Sequence, residues 1–394
     1  MRTAQTSLRW AGYMSKGGAI RFDRNEWAGS FGDLGTDLPL LIGMALAAHL
    51  DGASVLIVFG AFQVYSALVY RMPMPVQPLK AMAALVIAQH ISGDVLFGGG
   101  LAIGICMLLL SVTGLIDWLA RVIPGVVVRG IQLGLGLQLS SLALKDYVRS
   151  DGWAGYGLAA ASFLIGLLFL GDRKLPAALL IVPLGIAYSL AFSGLAPELH
   201  GAFGIHLPVL HVPTLADVAT GFLVLALPQI PLSLGNSVLA TQKLAGDLFP
   251  QRPITVRKIG FTYSLMNLVA PFVSGVPTCH GCGGLAGHYA FGARTGGSVI
   301  LYGLFLMGAG LFFGGGFESV IHLFPLPVLG ILLLFEAVAL MMLTRDVAAE
   351  RSEFGIALIV ALAAAFLPYG YLIGLLVGTL LYYGLKPRME RLGR

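Results

Sequence analysis

Residues 73–90 read PMPVQPLKAMAALVIAQH and residues 275–291 read GVPTCHGCGGLAGHYAF. In each, a Pro- or Gly-containing break precedes a short apolar run: 79–90 (LKAMAALVIAQH) in one, 280–291 (HGCGGLAGHYAF) in the other. Twelve residues of helix span roughly 18 Å at 1.5 Å per residue. The hydrocarbon layer of a bilayer is roughly 30 Å thick. Both runs are therefore read as half-helices entered from a broken piece of chain. Pro78 suits a first helical turn, where its missing N–H costs nothing.

The surrounding chain is membrane-like. Of 394 residues, 57% are hydrophobic and only 11% are charged, and the mean hydropathy is +0.87. So little charge cannot keep a soluble surface dispersed. Apolar runs fall near 31–49, 54–70, 78–90, 95–115, 124–144, 156–171 and 177–194, then near 216–240, 258–274, 280–291, 297–315, 325–343, 354–367 and 370–385. That predicts an all-α polytopic membrane protein of fourteen segments.

Positions repeat across the two groups of seven. Pro75 and Pro277 are 202 apart, Pro124 and Pro325 are 201 apart, and Gly130 and Gly330 are 200 apart. An odd number of spans per half makes the halves inverted relative to each other.

Basic residues set the orientation. Twenty of the 24 Lys and Arg fall in segments on one side of the expected spans, and only Lys145 and Arg149 fall on the other. The richer side is cytoplasmic, which places both termini there. The net charge of +5 is thus an orientation signal, and no run of five like charges exists to bind nucleic acid. The basic stretch Met1–Arg24 lacks the apolar core of a removable signal peptide. Cys106, Cys279 and Cys282 offer no disulfide framework. The Cys279-His280-Gly281-Cys282 spacing lacks a second pair, so no metal is expected. With no P-loop, HExxH or nucleophile elbow, neither an enzyme nor a cofactor is expected.

A helix N-terminus carries N–H groups without intrahelical partners and roughly half a positive charge. Two such ends meeting near the bilayer centre form an anion site. The first end contributes Gln77, Pro78, Leu79 and Lys80; the second contributes Thr278, Cys279, His280 and Gly281. The bland alternative is that Pro and Gly only kink packed helices. Lys80 weighs against it, because intramembrane charge is costly and usually functional. Gln229, Ser233 and Asn236 stand at i, i+4 and i+7, one polar stripe on an apolar helix. The stripe lines the site or glues helices together. Asp33 and Asp37 share a face and either cap the span, pair with Lys80 or carry a coupling proton. Glu336, mid-span, and Arg129 are structural pairs or gating contacts.

Four segments carry a family likeness: Phe31-Gly32-Asp33-Leu34-Gly35-Thr36, Met74 to Lys80, Leu234-Gly235-Asn236-Ser237, and Pro277 to Gly287. Together they resemble the molybdate transporter family, a branch of the sulfate permease superfamily, over about residues 25–385. Leu79 replaces an expected Met and His288 an expected Gln. The chain ends nine residues after the last span, which implies a member without the STAS domain of sulfate permeases. Nucleobase carriers of this fold have a carboxylate where Asn236 stands, and a neutral amide suits a dianion better.

The resemblance implies a seven-plus-seven inverted repeat. A core domain (31–115 and 216–315) would move in an elevator-like way past a gate domain (116–215 and 316–385), flanked by cytoplasmic segments 1–30 and 386–394. It also implies molybdate as substrate and a homodimer in the plasma membrane bilayer. The alternatives are a sulfate-like anion or nucleobase carrier, an anion channel, or a non-transporting scaffold.

Overall fold

The computed structural model describes residues 19–30, 32–169, 177–192, 203–313 and 324–392. Phe31, Arg173, Lys174, His200 and most of the expected N-terminal segment lie outside the described residues, as does the side chain of Glu336.

Helices dominate. In chain order they are α1 (Arg24–Gly29), α2 (Leu34–Ala47), α3 (Gly52–Tyr70), α4 (Lys80–Gln89), α5 (Gly93–Thr113), α6 (Leu115–Val122), α7 (Gly125–Tyr147), α8 (Gly152–Leu168) and α9 (Ala178–Phe192). The second half holds α10 (Leu215–Leu248), α11 (Val256–Val269), α12 (Cys282–Ala290), α13 (Gly297–Phe313), α14 (Leu326–Asp346), α15 (Arg351–Phe366) and α16 (Gly370–Leu392). Among the described residues five are long and apolar enough to cross a bilayer: α3, α5, α7, α10 and α14. The chain is a multi-pass membrane protein.

The short helices α4 and α12 are each preceded by an extended strand, β1 (Gln77–Pro78) and β2 (Thr278–Cys279). The two strands pair antiparallel, Gln77 opposite Cys279 and Pro78 opposite Thr278. A shift of 201 carries Gln77 onto Thr278 and Pro78 onto Cys279, so it turns each pair into the other. The approach to each strand is also matched. Arg71 and Ser274, both in the left-handed region at φ 53°, turn the chain out of the preceding helical segment.

Buried backbone in an extended strand needs partners, because an unmet N–H or C=O in an apolar interior is expensive. Two amides supply them. Gln63 on α3 donates Nε2 to Val76 O (2.7 Å) and accepts from Val76 N at Oε1 (2.9 Å). Asn267 on α11 does the same for Thr278, with Nδ2 to Thr278 O at 2.6 Å and Thr278 N to Oδ1 at 2.9 Å.

Helix packing follows the same exchange. α3 lies against α13 and α5 against α11. Small residues let these backbones meet: a Cβ on Gly60 would stand 2.5 Å from Gly303 O, and one on Gly303 would stand 2.6 Å from Gly60 O. At the start of α13, the buried carboxylate of Glu26 accepts from Arg294 N, Thr295 N and Ser298 N at 2.8–2.9 Å. The positive end of that helix is what makes the buried charge tolerable.

Another set of helices packs together, with α7 on α14 and α15, α15 on α16, and α8 on α9 and α14, while α10 packs on α5 with the first group. Arg129 on α7 pairs there with Asp346 at the end of α14 (2.5 Å) and donates to Gln132 (2.9 Å).

α10 runs 34 residues, well past the apolar run expected at 216–240. Pro228 and Pro231 remove two backbone donors inside it, and two π-helical stretches, Phe222–Ala226 and Ser233–Ala240, flank them.

The amide clamps give a direct test. Asn267→Leu keeps the bulk but strips partners from a buried N–H and C=O of Thr278, at a cost of roughly 1–3 kcal/mol for each unmet group. Gln63→Leu does the same to Val76. Both variants should unfold at clearly lower denaturant in mixed micelles; curves overlaying the wild type would show that the clamps do not hold the crossing.

Candidate functional site

The strand pair brings the starts of α4 and α12 together, and the expected site residues gather around it. Gln77, Leu79, Thr278 and His280 are fully buried at 0% exposure, and Asp33, Asp37, Lys80, Asn236 and Cys279 are buried with them. This is a polar cluster in an apolar core, so each polar atom has to be met from inside the protein.

Gln77 Nε2 donates to Asp33 Oδ1 at 2.6 Å. Its other amide atom packs over Gly281, where any side chain would collide with it. Asp33 is the residue that begins α2, yet its side chain makes no capping bond there. The carboxylate instead bonds Gln77 and lies against Gly284 in the first turn of α12, so capping is not what Asp33 does. The glycine is required by that approach, because a Cβ at 284 would strike Asp33 and Pro75. Asp37, one turn on, contacts Tyr302 of α13. Lys80, Asp33 and Asp37 all stand within electrostatic reach of Cys279. A cation in the first turn of α4 opposes the helix dipole, and the two nearby carboxylates offset it.

The stripe on α10 connects the two half-helix starts. At one end, Gln229 Oε1 accepts from Ala81 N (2.9 Å) and Met82 N (3.2 Å), the first-turn donors of α4. Its Nε2 donates to Ser233 Oγ (3.1 Å), which is 2.8 Å from Tyr263 OH on α11. At the other end, Cys282 Sγ donates to Asn236 Oδ1 at 3.3 Å, which ties α10 to the start of α12. Seven residues of helix separate Gln229 from Asn236, about 10 Å.

The two half-helix starts are not equivalent. Beside Gly283, in the first turn of α12, a Cβ would meet nothing within 4 Å. That turn opens onto free space, while the first turn of α4 is closed by Gln229.

His280 holds the crossing itself. Its Nε2 lies 2.7 Å from Thr262 Oγ1 and its Nδ1 lies 3.1 Å from Pro75 O, so both ring nitrogens are engaged. Thr278 Oγ1 is fully buried and has no hydrogen-bond partner among the described residues. Among the expected residues, Pro78 and Leu79 act through backbone: Pro78 pairs with Thr278, and Leu79 N donates to Pro277 O at 3.1 Å.

Sequence reasoning did not single out Gln63, Asn267, Thr262, Tyr263 or Tyr302. A usable signal existed for the first two. Each is an amide in an apolar span, 13 and 11 residues before the backbone it clamps.

A cavity of about 340 Å³ lies where the two sets of helices face each other. Leu85, Gln89, Val224 and Pro228 line one side, and Gln138 and Tyr371 are among those lining the other. Tyr371 OH donates to Gln138 Oε1 (2.6 Å), while Gln138 Nε2 holds Ala364 O (3.1 Å), which fixes that wall.

Comparison with known proteins agrees with this architecture. The family described as "Molybdate transporter of MFS superfamily" matches residues 25–139 and 221–340. Molybdate transporter 1 of Arabidopsis thaliana is 35% identical, covering 91% of this chain and 87% of the relative. Molybdate transporter 2 of the same plant is 32% identical over 92% and 88%. In fold, the chain is similar to the transmembrane domain of a cyanobacterial bicarbonate transporter, BicA (TM-score 0.63, 17% identity, 92% of this chain and 98% of that one). It is also similar to murine Slc26a9, an anion transporter in the inward-facing state (TM-score 0.69, 12% identity, 98% and 72%). With a family match over more than half its length and relatives above 30% identity along nearly all of it, the chain belongs to the molybdate transporter family.

Proposed function

We propose that this protein carries molybdate across the plasma membrane, binding it where the two half-helices start. The observation that carries this reading is the reach of α10. It sets Gln229 on the donors of α4 and Asn236 at the start of α12, where the turn at Gly283 is open. Backbone N–H groups and a helix dipole there suit an oxyanion. Asn236 adds an amide and no negative charge. The relatives at 32% and 35% identity are molybdate transporters, which gives the oxyanion its identity.

The spans form a seven-plus-seven inverted repeat of fourteen crossings. The self-exchanging strand register, the paired amide clamps and the reciprocal α3–α13 and α5–α11 contacts support it. Residues 31–115 and 216–315 make the core domain, and 116–215 and 316–385 the gate domain. The core slides past the gate as an elevator, a motion suited by the cavity between them. Lys and Arg distribution places both termini in the cytoplasm. A homodimer joined through gate domains completes the assembly, as the family resemblance implies.

Purified protein in liposomes should accumulate labelled molybdate, with excess sulfate competing poorly. Equal uptake of labelled sulfate would overturn the molybdate assignment while keeping oxyanion transport.

Gly283→Val tests the site itself. Its Cβ meets nothing within 4 Å among the described residues, so folding should be unaffected, yet the branched side chain fills the space an anion needs. Uptake should fall at least about tenfold, equivalent to about 1.4 kcal/mol. Normal uptake by this variant would move the site elsewhere.

Two buried carboxylates and one ammonium leave the cluster short of positive charge when a dianion arrives, and a proton on Asp33 or Asp37 relieves the repulsion. Uptake should therefore rise with an acid-outside gradient, and Asp33→Asn or Asp37→Asn, whichever removes the proton carrier, should lose that response. A flux indifferent to the gradient in the wild type would exclude proton coupling.

A further inference from the structure

The donors at the start of α4 are held by the protein's own side chain. Gln229 Oε1 accepts from Ala81 N and Met82 N together, a single oxygen facing two first-turn N–H groups. An oxyanion oxygen seated on a half-helix makes that same contact. The amide is aimed by its other end: Nε2 donates to Ser233 Oγ, and Tyr263 OH lies 2.8 Å beyond. Gln229 is 1% exposed, so water does not reach the bond to loosen it.

Room to move begins next door. The 340 Å³ cavity is lined by Pro228, the neighbour of Gln229, and by Leu85, one helical turn beyond Ala81 on α4. Two further groups mark this junction as a place for a ligand. Gln77 Oε1 and Thr278 Oγ1, each in a residue at 0% exposure of the strand pair between the half-helices, have no hydrogen-bond partner among the described residues.

We propose that Gln229 is an internal competitor for the substrate, a neutral oxygen that holds the α4 donors until an oxyanion displaces it. This rests on the reading that the half-helix junction binds the transported anion. The competition sets selectivity. Hydrogen bonds to an ionised acceptor are roughly twice as strong as those to a neutral one, so a dianion wins the donors from the amide. A monovalent anion with dispersed charge, such as nitrate, gains less and leaves the amide in place. A competitor lowers apparent affinity by the fraction of protein in the competent arrangement.

The test compares wild type, Gln229→Ala and Gln229→Glu in detergent, with binding of molybdate and nitrate read by calorimetry and thermal unfolding measured alongside. Gln229→Ala removes the competitor. Molybdate should then bind about fivefold more tightly or better, and nitrate should become a measurable competitor. Gln229→Glu keeps the shape and the acceptor oxygen and replaces the Nε2 donor by an oxygen to which Ser233 can donate, and its thermal unfolding shows whether the fold tolerates the change. Where that carboxyl is ionised it places an anion on the donors, so molybdate affinity should fall at least about tenfold as pH rises through its titration. A purely structural cap gives the opposite pattern: Gln229→Ala unstable with unchanged or weaker binding, Gln229→Glu stable with normal binding. That pattern overturns the proposal even where wild-type protein binds molybdate normally. Should Gln229→Ala not fold, the Glu variant decides, because normal molybdate binding by it across the whole pH range in which the protein stays folded is incompatible with competition. Wild-type protein that ignores molybdate altogether would sink the reading beneath the proposal, and the proposal with it.

Discussion

Two extended segments cross in the middle of an apolar protein, and everything around them answers the hydrogen-bonding demand this creates. A helix satisfies its own backbone; a strand in the same surroundings leaves each N–H and C=O exposed to a medium with nothing to offer. Here β1 and β2 meet part of the demand from each other, and Gln63 and Asn267 meet more of it from neighbouring helices. His280 adds a strut from Thr262 to Pro75 O. Because those partners come from α3 and α11, the crossing fixes where these helices stand. α13 and α5 are then packed onto α3 and α11 through small residues.

The same crossing gathers polar groups in one place. Breaking two helices at one point turns their positive ends toward a common place, where the polar groups are buried and a charge is felt strongly. The protein balances that place from within. Asp33 lies against the start of α12 with Gln77 bonded to it, Lys80 and two carboxylates all act on Cys279, and Gln229 closes the donors of α4. What stays open is the turn at Gly283, where a glycine contributes no packing and its missing side chain leaves space. Two nearby glycines do a different job: Gly281 and Gly284 are small because Gln77 and Asp33 press on them.

Much of this was legible in the residues. The two breaks, the shortness of 79–90 and 280–291 and the near-constant offset near 200 were all readable, as was the i, i+4, i+7 stripe on α10. The partners of the stripe were not. Gln229 read as a polar residue on an apolar helix, and nothing local distinguishes an amide that binds substrate from one that caps a neighbouring helix 147 residues away. Asp33 is open in the sequence to capping, pairing with Lys80 or carrying a proton, and nothing local points to Gln77, 44 residues on, which donates to it. The full length of α10 was also missed, since apolar runs mark where a helix meets lipid and say little about where its hydrogen bonding ends.

The sequence by itself determined that the chain lives in a membrane, where it breaks, and that each break comes twice. Those properties depend on hydrophobicity and on the local effects of Pro and Gly, which act within a few residues. Only the tertiary structure decided which half-helix start is closed and which is open, and which carboxylate faces which amide. Those outcomes depend on side chains from helices far apart in the chain, and a buried polar group takes whichever partner the packing brings within about 3 Å.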